Sequence, residues 1–143
     1  MSHRVLNAAA RAAIEAGNMA TLATIGPDGA PQLSMVWVGL DGDDLVVGHL
    51  GSGAKVRNIA ADGRVALTML TGGANPVGLD HYLVVRGTAV LEPGGAPELL
   101  HRLAQVYVGP GTRFPPMDDP PAGNVIRITP TRVGGVGPWT DPA

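Results

Sequence analysis

The chain of 143 residues contains no cysteine. A thiol nucleophile, a Cys-ligated zinc, an iron–sulfur cluster and any disulfide are thereby excluded. The same absence suits a reducing compartment, and the expected location is the cytoplasm. Aromatics are scarce: Trp37, Tyr82, Tyr107, Phe114 and Trp139 are all there are. The core must therefore be built from Val, Leu, Ile, Ala and Met. No apolar run approaches the roughly eighteen residues of a membrane span, and "MSHRVLNAAARAAIEAGN" has no apolar stretch for a signal peptide. Nor is there a surplus of either charge. Lys and Arg number 10 against 12 Asp and Glu, a net charge of −2, which argues against a general nucleic-acid binder. His3, His49, His81 and His101 are scattered, with no H-x-x-x-H pair, so no metal site is expected. Ser52 has no evident His/Asp partners for a hydrolase triad.

What is abundant is Gly, at 21, and Pro, at 13, within a chain that is still 45% hydrophobic. That pairing predicts short strands joined by tight turns rather than disorder. The length suits one domain, residues 1–143, with an N-terminal helix within 1–17 and a Gly-rich tail at 134–143. Val5 to Ala16 reads as a helix stopped by Gly17 and Asn18. "MATLATI", "APQLSMVWVGL", "LVVGHL", "DGRVALTML", "HYLVVRGTAVLE" and "NVIRITPTRV" read as six strands. "GPDG" and "DGDD" are turns, "TGGANPVGLD" is a loop, Gly87 marks a bulge or bend, and Pro130 is expected to end the sixth strand. Ala96 to Val108 reads as a helix, followed by the Pro-rich excursion "PGTRFPPMDDPPAG". The predicted class is mainly β: a six-stranded antiparallel barrel with flanking short helices, a form that hides sheet edges.

The stretch "GSGAKVRNIAADGRVALTML", Gly51 to Leu70, carries the chemical signal. Lys55 and Arg57 follow a Gly/Ser turn at the start of a short helix. Free N–H groups make a helix start partially positive, so cations there are unfavourable unless an anion faces them. Two readings stand for the pair: solvated surface cations, or partners of a bound phosphate.

"MATLATIGPDGAPQLSMVWV", "DLVVGHLGSGAKVRNIAADGRVALTML", "HYLVVRGTAVLE" and "VIRITPTRV", in this order and spacing, resemble the pyridoxamine 5'-phosphate oxidase-like split barrels. The branch they resemble most is the actinobacterial one that binds the deazaflavin coenzyme F-420. The resemblance runs from about Met19 to Val133. It implies a split β-barrel of the FMN-binding type, a homodimer with cofactor clefts at the interface, and an oxidoreductase in which reduced F-420 gives hydride to a small organic acceptor. No side chain need be the catalyst, because the cofactor carries the chemistry. The family's phosphate lysine falls on Lys55 and a following basic residue on Arg57. The strand that lines the ring falls on Gln32 to Val38, including Ser34, Met35 and Val36. The turn before the lysine falls on His49 to Gly53, including Ser52. In the FMN oxidases of the family the second strand carries an arginine and, five residues on, a lysine. Here Ser34 and Gly39 stand at those positions, which disfavours FMN, the alternative cofactor. A non-catalytic cofactor- or haem-binding member of the fold is the other alternative.

The remaining candidates carry two readings each. Gln32 and Ser34 share a strand face and are either solvent-exposed or hydrogen-bonded to the cofactor. Trp37, with Leu33 and Met35 on the other face, suits core or dimer packing. His49 is either structural or a proton donor and cofactor contact. Asn75 and Pro76 serve either the turn or the cleft. Tyr82 either lines the cleft or packs in the barrel, and Trp139 either closes over the cleft or packs on the partner subunit.

Overall fold

The computed structural model describes residues 5–140. The N-terminal helix, α1, spans Ala8–Glu15. It starts three residues later than the pattern alone predicts, because the Asn7 side chain accepts the Ala10 N–H at 2.9 Å and caps it. The strands are β1 (Ala20–Ile25), β2 (Pro31–Val36), β3 (Gly39–Asp41), β4 (Asp44–His49), β5 (Arg64–Ala74), β6 (Asp80–Pro93) and β7 (Asn124–Val136). Two further helices are α2 (Ala54–Ala61), between β4 and β5, and α3 (Ala96–Tyr107), between β6 and β7.

Among the described residues all strands join one antiparallel sheet in the order β2-β1-β5-β6-β7-β4-β3. β2 and β3 are consecutive in the chain yet occupy opposite edges. Only Trp37 and Val38 separate them, and the three peptide steps from Val36 to Gly39 span at most about 11 Å. The sheet must therefore curl until its edges nearly meet, which makes it a split barrel. The strand expected as one run over Ala30–Leu40 is broken here in two, and this accounts for seven strands rather than six. Tyr107, at the end of α3, fixes the break. Its hydroxyl accepts the Val38 N–H at 3.0 Å and lies within donating distance of the Asn18 and Val38 carbonyls, at 3.0 and 3.2 Å.

Pro130 does not end the last strand. The β6–β7 register passes from Arg86↔Arg132 to Gly87↔Pro130, leaving Thr131 as the extra residue of a bulge. A bulge tolerates the missing proline N–H. A Cβ at Gly87 would run into the Thr129 carbonyl, so the glycine is what lets the two strands approach. β7 then continues through Gly134 and Gly135 to Val136, pairing with β6. The first three residues of the expected Gly-rich tail, 134–136, are thus strand. β5 likewise extends into the expected loop, to Ala74.

Ile14, Leu22, Leu45, Met69, Leu83, Ile126 and Ile128 are fully buried and form the barrel interior. Trp139 joins this cluster at 8% exposure. Its indole N–H donates to the Tyr82 carbonyl at 3.1 Å, and its ring meets His81 edge-on at 6.0 Å. The tail folds back on its own barrel; Trp139 covers neither of the clefts described below. No helix among the described residues is long and apolar enough to cross a membrane.

Candidate functional site

Lys55 sits in the first turn of α2, whose N-cap, Gly53, offers no side-chain capping bond. The preceding turn leaves β4 at His49. Together β4, the turn and α2 form the polar end of a cleft of about 370 Å³. Its walls are Met19, Met35, Val36, Trp37, Leu100 and Phe114, and its polar end carries His49 and Lys55. Among the described residues Lys55 is the one formally charged lining residue. Among the described residues no carboxylate forms an ion pair with it, and burial holds its pKa below the ordinary lysine value. A half-buried ammonium without a counter-ion is a ready partner for an anion.

The His49 ring is half-buried beside it. Gly53 donates its N–H to Nε2 at 3.4 Å. Burial first, and then the charge of Lys55, hold the imidazole pKa below its usual value. The ring is therefore neutral at neutral pH.

The opposite wall is aromatic. Trp37 stacks on Tyr107, with centroids 5.4 Å apart and planes at 13°, and meets Phe114 at 5.2 Å. Two of the chain's five aromatics, Trp37 and Phe114, thus line this cleft, with Tyr107 stacked behind Trp37, while the barrel interior does almost without them. Gly39, just past the break, is crowded by α3: a Cβ there would lie 2.8 Å from Leu103 Cδ2, so a side chain at this position needs Leu103 to shift.

Arg57 lies elsewhere. It lines a second groove of about 520 Å³ on another flank of α2, with Gln32, Asn58, Asp62, Arg64 and the β1–β2 turn. Its guanidinium donates to the Ser52 carbonyl at 2.9 Å, tying the turn to the helix. Asn58, 5% exposed, donates to Thr24 Oγ1 at 3.0 Å and to Gln32 Oε1 at 2.7 Å. That amide pins α2 to β1 and β2 and holds Gln32 in the second groove.

The candidates thus divide. Met35, Val36, His49 and Lys55 meet in the first cleft, and Ser52 and Gly53 shape its turn. Gln32 and Arg57 meet in the second groove. Ser34 pairs with Leu22 in the sheet and lines neither. Asn75 and Pro76 sit in the β5–β6 hairpin, where the Asn75 side chain accepts from the Val77 and Leu79 amides; they too line neither. The cleft also holds residues the sequence reading did not assign to it: Met19, Leu100, Phe114 and Trp37. The scarcity of aromatics was the available signal for Trp37 and Phe114. No His, Cys, Asp or Glu cluster suited to a metal occurs among the described residues.

The chain is thus a split β-barrel whose cleft carries Lys55 at its polar end and Trp37 and Phe114 on its wall. Residues 6–137 match the family described as pyridoxamine 5'-phosphate oxidase, and the chain belongs to that family. No curated protein matches the chain. Among solved structures, one named an F-420 reductase is 30% identical, with 87% of this chain and 94% of that one covered at a TM-score of 0.70. A conserved hypothetical protein from Mycobacterium tuberculosis is 27% identical over 94% and 88%, at a TM-score of 0.63. A heme-binding protein from Mycobacterium smegmatis, 24% identical over 92% and 55% at 0.63, shares the fold.

Proposed function

We propose that the protein is an oxidoreductase that uses reduced coenzyme F-420 to deliver hydride to a small organic acceptor. The observation that carries this reading is Lys55: a half-buried, unpaired cation at a helix start, at the polar end of an uncharged, aromatic-walled cleft. That donor set suits a ligand with a planar ring and a phosphate. A helix start adds free N–H groups to the same anion. The likeness to a structure named an F-420 reductase supports the choice of cofactor.

The residues have separable roles. Lys55 holds the phosphate. Trp37, Phe114 and Met35 flank a ring and exclude water. His49, neutral, offers a hydrogen bond or a proton near the cleft's polar end. Hydride chemistry itself is supplied by the deazaflavin when bound.

The cleft opens beside a bare sheet face, which supports a homodimer. Leu33, Met35 and Leu70 project from β2 and β5 at 66%, 59% and 69% exposure, with Tyr82 beside Leu70 on β6. Large exposed apolar patches mark contact surfaces, and two-fold pairing is the common solution. Met35 belongs to both the patch and the cleft, so a partner seated there would wall the site.

FMN is the alternative cofactor. Neither Ser34 nor Gly39 supplies a cation. F-420 should bind at least tenfold tighter than FMN, a gap of about 1.4 kcal/mol. A fluorescence titration with each cofactor measures this, and equal or reversed affinities would overturn the assignment.

A further inference from the structure

We propose that His49 couples the binding of an anion at Lys55 to the uptake of a proton. The proposal rests on the reading of Lys55 as the anion's partner. Its geometry lies in the turn that caps α2. The Gly53 amide donates to His49 Nε2 at 3.4 Å. The ring packs close under that turn: a Cβ at Gly51 or Gly53 would lie 3.7 or 3.4 Å from Nε2. A nitrogen that accepts from an amide carries no hydrogen, so the neutral ring holds its proton on Nδ1.

Protonating Nε2 turns this acceptor into a donor facing another donor, and the bond to Gly53 is lost. Two consequences follow for an anion at Lys55. The Gly53 N–H is released at the start of α2, where no side chain caps the helix and free amides favour negative charge. The imidazolium also adds a second cation to the cleft. Linkage makes the effect reciprocal: an anion that offsets the charge of Lys55 favours the protonated ring.

The charges around the ring are few. Lys55 faces it from α2. The turn of Leu50, Gly51, Ser52 and Gly53 carries none. Asn124, its register partner on β7, is neutral, and so are Leu100 of α3, Met35 and Val36 of β2, and Phe114. Among the described residues Lys55 is thus the one charged side chain at this end of the cleft. With burial, it keeps the ring neutral until an anion arrives.

The test uses sulfate on the full chain, because sulfate keeps its charge from about pH 5 to about pH 8, the range in which histidine titrates. NMR follows the Gly53 amide and the His49 ring nitrogens at constant ionic strength. Sulfate should bind at least about fivefold tighter at the lower pH. The ring should be the Nδ1–H tautomer before sulfate and imidazolium after it. His49→Gln keeps an acceptor for Gly53 but cannot take up a proton, and should bind sulfate equally at both pH values. Lys55→Ala should lose sulfate at both. An Nε2–H tautomer, or the same pH dependence in the parent and His49→Gln, overturns the proposal. Binding that needs Lys55 but ignores pH overturns the role of His49 alone. Binding that survives Lys55→Ala, or none at all, overturns the reading of Lys55 and this proposal with it.

Discussion

Lys55 and Arg57, two residues apart on α2, line separate clefts. Positions i and i+2 do not share a helix face, and Arg57 is already bonded to the Ser52 carbonyl. One compact anion cannot be gripped by both. Lys55→Ala should weaken F-420 binding by about 1.5–3 kcal/mol, the range for a charge-assisted hydrogen bond. Arg57→Ala should cost less than about 1 kcal/mol, as exposed charges do. Titration at low and high salt checks this, and the loss in Lys55→Ala should shrink as salt screens the parent. Without ligand, Lys55→Ala should melt no lower than the parent, because burial already disfavours the ammonium. Equal losses in the two variants would place the phosphate elsewhere.

The bare sheet face gives the second expectation. Leu33 on β2 and Leu70 on β5 are two-thirds exposed, and replacing both with Glu leaves the barrel interior untouched. The parent should scatter light as a dimer at micromolar concentration, and Leu33→Glu/Leu70→Glu should scatter as a monomer with weakened F-420 binding. A monomeric parent would remove the partner from the site.

Much of this architecture is legible locally. The alternation in "MATLATI" and "HYLVVRGTAVLE", the turn chemistry and the Ala-rich and Leu-rich helices each place an element to within a few residues. The break at Trp37–Val38 is not legible, because "APQLSMVWVGL" alternates well enough for one strand; a tyrosine hydroxyl from α3 fixes the break instead. Pro130 obeys a local rule that a bulge at Thr131 overrides. Lys55 is visible because a Gly/Ser turn and a helix start leave a cation unexplained. The aromatic cluster behind and along the cleft is not, since Trp37, Tyr107 and Phe114 are brought together only by the docking of α3 and the segment that follows it.

The two tryptophans should divide the molecule's stability from its ligand binding. Trp139 lies in the barrel cluster, 8% exposed, and its indole N–H satisfies the Tyr82 carbonyl. Trp139→Ala removes a large buried ring and should cost about 3–5 kcal/mol. Trp139→Phe keeps most of the volume but leaves that carbonyl without its donor, and should cost about 1–3 kcal/mol. Trp37 is half-buried at the cleft, stacked on Tyr107. Trp37→Phe should therefore cost less than Trp139→Ala in a urea unfolding series, yet should weaken ligand binding more. Intrinsic fluorescence separates the two positions. A ring bound in the cleft quenches Trp37, so the quench on adding F-420 should survive Trp139→Phe and vanish in Trp37→Phe. The reverse pattern would mean that the ligand reaches the tail end of the barrel, and the cleft between Trp37 and Lys55 would no longer be the site.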